Sequence, residues 1–217
     1  IEIKSLLGNE ENAKSLKDKI REKGASLVAK SKQLNHYFLL NDANRLKDVL
    51  IKYISDDKKE AFEKILNEGS NMSVRTRDTD GKVIFVIKAS IGSDSSSNGV
   101  SRMEFEQTMG MTLDELDNIL LNAGLEYQAK WSREREEYEL GDTNICLDKN
   151  AGYGYLAEFE KISEDGAQAE DLKKEIHSLM AELGAVELPQ SRLERMFSFY
   201  NNNWRDYYGT DKVFNIE

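Results

Sequence analysis

Apolar and charged side chains alternate, residue by residue, through several short stretches of this chain. In Arg102-Met103-Glu104-Phe105-Glu106 a strand would send Arg102, Glu104 and Glu106 to one face and Met103 and Phe105 to the other. The same grammar recurs in Glu2-Ile3-Lys4, Arg75-Thr76-Arg77, Arg133-Glu134-Arg135 and Glu158-Phe159-Glu160. Two-faced strands usually turn mixed polar residues outward. Here the polar face is almost wholly ionised, with both signs on it.

The remaining pattern predicts what connects these strands. Ile1 to Leu6 reads as a strand, then Asn9 caps a helix carrying Ala13, Leu16 and Ile20, which Gly24 stops. Ser26 to Leu40 is extended. Asp42 to Gly69 is helical in period, with stripes Leu46, Val49, Leu50, Tyr53 and Phe62, Ile65, Leu66. Strands follow over Met72–Asp78, Lys82–Ala89 and Val100–Met109, the first two joined by an Asp80-Gly81 hairpin turn. The Ser- and Gly-rich run Gly92 to Gly99 reads as a mobile loop. Thr112 and Glu115 form a capping box for a helix ending at Gly124. Further strands are predicted over Leu125–Leu140, Asn144–Asp148 and Tyr153–Ile162, then an amphipathic helix over Glu170–Leu183. From Pro189 onward, Leu193, Met196, Phe197, Phe199, Tyr200, Trp204, Tyr207 and Tyr208 read as a helix packed on the body, since buried aromatics chiefly build cores. Two groups of strands with helices between them make an α+β protein. The expected domains are 1–188 and a helical, aromatic-rich extension, 189–217.

Composition narrows the chemistry. A chain of 217 residues, 39% apolar and 32% charged, can build a real core. No apolar run approaches a membrane span and no signal-peptide pattern opens the chain, so a cytoplasmic protein without a membrane partner is expected. Cys146 stands alone, which excludes an intrachain disulfide and fits a reducing compartment; two histidines leave little for a zinc cluster or a His-based triad. Cys146 reads as a small buried hydrophobe and His36 as a satisfied polar residue. The net charge of −10 argues against duplex nucleic acid as a partner, without excluding a local basic site. The sequence leaves monomer and homodimer open. It starts at Ile1, inside a predicted strand, so further residues are expected upstream.

The candidate cations are Lys4, Arg75, Arg77, Lys88, Arg102, Arg133 and Arg135; Lys88 ends the apolar run Val83-Ile84-Phe85-Val86-Ile87. The candidate anions are Glu2, Glu104, Glu106, Asp148, Glu158 and Glu160. Guanidinium and ammonium groups suit phosphate oxygens, and carboxylates suit a hard cation such as Mg²⁺ or Mn²⁺. Both sets together suit a polyphosphate with a metal, hence phosphoryl chemistry. The bland alternative is a set of solvent-facing ion-pair ladders, against which the recurrence on separate strands counts.

These motifs resemble, in order, those of the CYTH family, the class IV adenylyl cyclases and thiamine triphosphatases also called triphosphate tunnel metalloenzymes. Glu2-Ile3-Lys4 is similar to the end of the family's opening Glu-x-Glu-x-Lys; Arg75-Thr76-Arg77 to its Arg-x-Arg, followed by Lys88; and Arg102 to Glu106 to its Arg-x-Glu-x-Glu. Arg133 to Tyr138, Leu147-Asp148 and Gly154 to Glu160 complete the likeness, which runs to about Leu183. Asn35-His36-Tyr37 departs from it, with an amide where the family often carries an acid, and the segment from Asp42 to Gly69 is longer than the usual connection there; it reads as a packing insert in preference to a lid over one tunnel mouth.

The resemblance implies a closed eight-stranded antiparallel β-barrel with helices outside, whose tunnel holds a triphosphate such as tripolyphosphate, ATP or thiamine triphosphate. It implies Lys4, Arg75, Arg77, Lys88, Arg102, Arg133 and Arg135 on the phosphates. Glu2, Glu104, Glu106, Asp148, Glu158 and Glu160 would hold Mg²⁺ or Mn²⁺, with Glu2, Glu158 and Glu160 catalytic. Attack by water would make the chain a triphosphatase; attack by the ribose 3′ hydroxyl of ATP on its α-phosphate would make it an adenylyl cyclase. A non-catalytic binder of polyphosphate or phosphorylated RNA is the third reading, and hydrolysis is preferred.

Overall fold

A computed structural model describes residues 1–90, 102–162 and 169–217, the side chains of Arg102 and Ala169 excepted. Eight strands and six helices follow in the order β1 (Glu2–Gly8), α1 (Glu10–Glu22), β2 (Ser26–Leu39), α2 (Ala43–Leu50), α3 (Lys59–Glu68), β3 (Ser70–Thr79), β4 (Lys82–Ser90), β5 (Arg102–Thr108), α4 (Leu113–Asn122), β6 (Glu126–Leu140), β7 (Thr143–Asn150), β8 (Gly154–Glu160), α5 (Ala169–Leu183) and α6 (Gln190–Tyr207). The class is α+β, as expected. The strands form one antiparallel sheet in the order β1-β8-β7-β6-β2-β3-β4-β5. Among the described residues no ladder joins β1 to β5, so hydrogen bonds do not close the sheet. Ile1 and Lys161 exchange backbone hydrogen bonds, so the backbone groups of Lys4, an odd number of residues further on, point away from β8. There the Leu188 N–H donates to the Lys4 carbonyl at 2.7 Å, capping that edge of β1.

The chain divides into two compact units, and β2 and β6 each contribute to both. The first is built from Ile1–Lys32 and Ser132–Glu217. Its core lies on the face opposite the charges: Ile3, Tyr138, Ile145, Leu147, Ala157 and Phe159 of the strands meet Leu16 and Ile20 of α1 and Ile176, Met180 and Leu183 of α5. Asn9 caps α1 by accepting from the Asn12 amide at 2.9 Å, and Gly24, at φ +92°, ends it. The aromatic C-terminal segment is a helix on this unit, with Leu193, Met196, Tyr200 and Trp204 buried. At Gly154 (φ +71°) a Cβ would stand 2.5 Å from the Gly8 carbonyl oxygen, so only glycine lets the start of β8 come this close to the end of β1.

The second unit comprises described residues within 33–131. Val74, Val83, Phe85, Ile87, Ala89 and Phe105 pack under Leu46 and Leu50 of α2, Phe62, Ile65 and Leu66 of α3, and Leu116 and Leu120 of α4. Each of the larger side chains, Val, Leu, Ile or Phe, contributes ~1.5–3 kcal/mol by its burial. Asp80 (φ +50°) and Gly81 (φ +87°) supply the two left-handed residues of the predicted β3–β4 turn. The segment expected to be helical from Asp42 to Gly69 is two helices, broken where short 3₁₀ turns flank an extended Ser55. Gln107 of β5 holds this break: its carbonyl oxygen accepts from the Ser55 N–H at 3.0 Å and hydroxyl at 3.1 Å, and its amide donates to the Tyr53 carbonyl at 2.8 Å. The segment is therefore packed into the core of its unit, as the insert reading expects.

Candidate functional site

Strand alternation in the first unit gathers charge on the face away from its core. Glu2 lies opposite Glu160, and Lys4 opposite Glu158, across β1 and β8. Arg135 lies opposite Asp148, and Cys146 opposite both Glu158 and Glu137. Lys4 pairs with Glu2 and reaches Glu158 at 3.4 Å. Arg135 grips Asp148 with two nitrogens, Nε at 2.7 Å and Nη2 at 2.6 Å, and Nη2 also lies 2.5 Å from Glu158. Arg133 adds a contact to Asp148 at 3.2 Å. Burial alone would raise the Glu158 pKa, but the charges of Lys4, Arg135 and Arg133 outweigh it and hold the carboxyl well below the usual range. Burial likewise works against the Arg135 cation, and Asp148 and Glu158 more than restore it.

The second unit builds its charged face from β2 to β5. Across β2 and β3, Asn35 lies opposite Arg77 and Tyr37 opposite Arg75. Arg77 Nε donates to Asn35 Oδ1 at 2.8 Å, and Arg77 Nη1 lies 3.5 Å from Glu106. Arg75 Nη1 donates to the Tyr37 hydroxyl at 3.1 Å, with the guanidinium 4.7 Å from the ring centroid. Lys88, opposite Glu104 on β5, pairs with it at 2.9 Å. Partial burial raises the Glu104 pKa; hydrogen bonding and charge from Lys88, with help from Glu106 and Arg75, bring it below its ordinary value.

Arg75 differs from its neighbours. Lys4, Arg77, Lys88, Arg133 and Arg135 each have a carboxylate in ion-pair range. Arg75 has none among the described residues, and its buried Nε meets no acceptor there. A donor left in this way fits an anion that the protein does not itself supply.

The carboxylates are hard oxygen donors of the kind Mg²⁺ and Mn²⁺ take. Among the described residues no three acidic, His or Cys side chains converge on one point. Glu2, Glu104, Glu106, Asp148 and Glu158 are instead turned toward cations, while Glu160 forms no ion pair among the described residues and faces Glu2 across the ladder. In kind the donors fit such an ion, with Glu2, Glu158 and Glu160 on adjoining positions of β1 and β8.

Apart from Arg102, the backbone thus places the predicted residues of each unit on that unit's charged face. The Arg102 side chain and the Gly92–Gly99 loop lie outside the described residues. Three residues were missed. Glu137 shares the face of Arg133 and Arg135, which plain continuation of the alternation would have shown. Asn35 and Tyr37 orient the β3 arginines, and only cross-strand register reveals this. Cys146 is buried as expected: burial, opposed by the Arg135 charge and reinforced by Glu158, Asp148 and Glu137, pushes its thiol up to about 12. His36 is also satisfied, on the core face, where Asp117 Oδ2 lies 2.6 Å from its Nδ1; Thr76 and Tyr127 each donate to the same carboxylate at 2.6 Å.

The fold is α+β, with cations and carboxylates interleaved on the strands of each unit. The family model for the CYTH domain matches residues 56–190, and the chain belongs to that family. Family membership supports an enzyme, and proteins of the family generally bind triphosphates and depend on divalent metals. No curated protein matches the chain. Among solved structures it is similar to the PH1012 protein of Pyrococcus horikoshii, at 20% identity and a TM-score of 0.61, covering 85% of this chain and 89% of that one. A candidate adenylate cyclase of Vibrio parahaemolyticus matches at 14% identity and 0.60, covering 91% and 97%. A candidate adenylyl cyclase from Hippeastrum, described as having dominant triphosphatase activity, matches at 15% and 0.56, covering 91% and 95%. These identities establish shared fold alone. Among the described residues no helix is long and apolar enough to cross a membrane.

Proposed function

We propose that this chain hydrolyses a triphosphate, inorganic tripolyphosphate or an organic triphosphate, in a divalent-metal-dependent reaction. The observation that carries the reading is Arg75: a guanidinium whose buried Nε meets no acceptor and which has no carboxylate in ion-pair range among the described residues, set among the cations and acids of its unit's charged face. Arg75 and Arg77 hold and orient phosphate oxygens through directed N–H donors. Lys88, Lys4 and Arg133 add charge. Glu158, kept ionised by Lys4 and Arg135, is suited to ligation and not to proton transfer. Glu2, Glu158 and Glu160 would hold the metal ion, which when bound withdraws charge from the phosphate. Water attacks the terminal phosphorus, the bond to the bridging oxygen breaks, and diphosphate leaves. The attacking water gives up its proton to solvent.

Product analysis tests this, with tripolyphosphate and separately ATP, each with Mg²⁺, Mn²⁺ or chelator, and Glu158→Gln as control. Orthophosphate that disappears in chelator and in the variant is the expected result. Cyclic AMP with pyrophosphate from ATP would establish the cyclase instead. Tight binding without product would make the chain a polyphosphate receptor.

A further inference from the structure

Behind the charged face of the second unit lies a buried polar cluster with no part in the chemistry proposed above. Three successive rungs of the β2–β3 ladder are Asn35–Arg77, His36–Thr76 and Tyr37–Arg75. The outer two send their side chains to the charged face, where Asn35 and Tyr37 accept from the arginines. The middle rung, by strand alternation, faces the core. There Asp117 of α4, 2% exposed, holds both of its members. Thr76 Oγ1 donates to Asp117 Oδ1 at 2.6 Å, His36 Nδ1 lies 2.6 Å from Oδ2, and the Tyr127 hydroxyl donates to Oδ2 at 2.6 Å. Burial would raise the Asp117 pKa, but hydrogen bonds from His36, Thr76 and Tyr127 outweigh it and hold the carboxyl below its ordinary value. Facing an ionised carboxylate, His36 Nδ1 carries its proton.

Stability alone does not call for this arrangement. α4 already has its capping box, and its Leu116 and Leu120 are buried in the core. Apolar side chains of similar volume at a buried charged site are often as stabilising, or more so. What a carboxylate adds is direction. Its oxygens fix a hydroxyl and an imidazole to hydrogen-bonding geometry, where apolar contact alone would let a helix shift on a sheet. Thr76 is bonded through the backbone to Arg75 on one side and Arg77 on the other. Fixing Thr76 therefore fixes the points from which both guanidiniums extend.

We propose that Asp117 is a positioning residue, which locks the His36–Thr76 rung from the core side and so holds Arg75 and Arg77 in the geometry that receives phosphate. This rests on the triphosphate reading above. It does not need either arginine to lack an acid, and Arg77 keeps Glu106 at 3.5 Å. Every group it invokes belongs to the second unit.

The test is Thr76→Val, nearly isosteric, which removes the hydroxyl; Thr76→Ser restores it. Asp117→Asn removes the charge at the same volume. Ile65→Ala, on α3 in the same core, is the control for lost stability. Three quantities are measured: the Nε–H NMR cross-peaks of Arg75 and Arg77 in the free protein, tripolyphosphate affinity by calorimetry in chelator, and Tm. Both cross-peaks should shift or broaden in Thr76→Val and Asp117→Asn. Affinity should fall about fivefold in Thr76→Val, the order of one lost hydrogen bond, with a matching rise in KM under Mg²⁺ and kcat within about twofold. Thr76→Ser should return cross-peaks and affinity to wild type, and Ile65→Ala should lower Tm while moving neither. If Asp117→Asn does not fold, the Thr76 pair decides. Cross-peaks and affinity unmoved in Thr76→Val, or equally altered in Ile65→Ala, would overturn the inference alone. A wild-type protein that neither binds nor cleaves tripolyphosphate would overturn the triphosphate reading, and the cross-peaks of the free protein would still report the lock.

Discussion

Arg135 and Asp148 face each other across β6 and β7 and are joined by two hydrogen bonds, at 2.7 and 2.6 Å, in a setting where the carboxylate is 1% exposed. Removing one charge from such a pair strands the other, which is far costlier than an exposed ion pair is helpful. Asp148→Asn should therefore lower unfolding stability at neutral pH by roughly 3 kcal/mol. Urea unfolding checks this, with the midpoint falling and the slope constant.

A second expectation concerns acid. Glu136, on the side of β6 away from Arg135, contacts Lys17 at 2.6 Å, Lys30 at 2.7 Å and the Tyr138 hydroxyl at 2.8 Å. Burial would raise its pKa, yet hydrogen bonds from Lys17, Lys30 and Tyr138 bring it down to about 2. A folded pKa below the unfolded one gives stability that is complete above about 4.5 and lost as pH falls toward about 2. In Glu136→Gln, stability followed by urea titration should be lower at neutral pH, and its decline between these pH values should be shallower than in wild type.

The thiol of Cys146 offers a third check. With its pKa raised to about 12 and little exposure, it carries almost no thiolate at pH 8. Ellman's reagent should react negligibly with the folded protein and with one thiol per chain in denaturant. Rapid reaction of the native protein would contradict the burial described.

Gln107 should prove more than a filler on β5. Gln107→Ala removes the partner of the Ser55 N–H and of the Tyr53 carbonyl, two part-buried hydrogen bonds worth about 0.5–1.5 kcal/mol each. Hydrogen exchange should quicken selectively over residues 51–58 in this variant, while β3 and β4 keep their protection.

Alternation carried most of what could be read in advance. Because a strand's side chains have period two, Arg75 and Arg77, or Glu158 and Glu160, had to share a face whatever the tertiary structure. Caps at Asn9 and Thr112 and the Asp80-Gly81 turn are local chemistry, and so were equally legible. The break at Ser55 was not: its partner, Gln107, lies far along the chain, and both flanking segments keep a helical period. Asn35 illustrates the same limit within the site. Its residue type gives no hint of Arg77, which becomes its partner only through the β2–β3 register.

That one unit is sewn from the two ends of the chain while the other comes from its middle has a consequence for the order of assembly. β3 and β4 meet across a two-residue turn and β5 follows β4, so the middle unit can begin to form from near neighbours. Glu2, by contrast, finds its opposite number only at Glu160. On the ribosome the first strand emerges long before its partner exists, and closing so large a loop is slow. Until β8 is synthesised, Ile3 and the apolar stripe of α1 have no core to enter, and this interval is when the nascent chain is most in need of a chaperone.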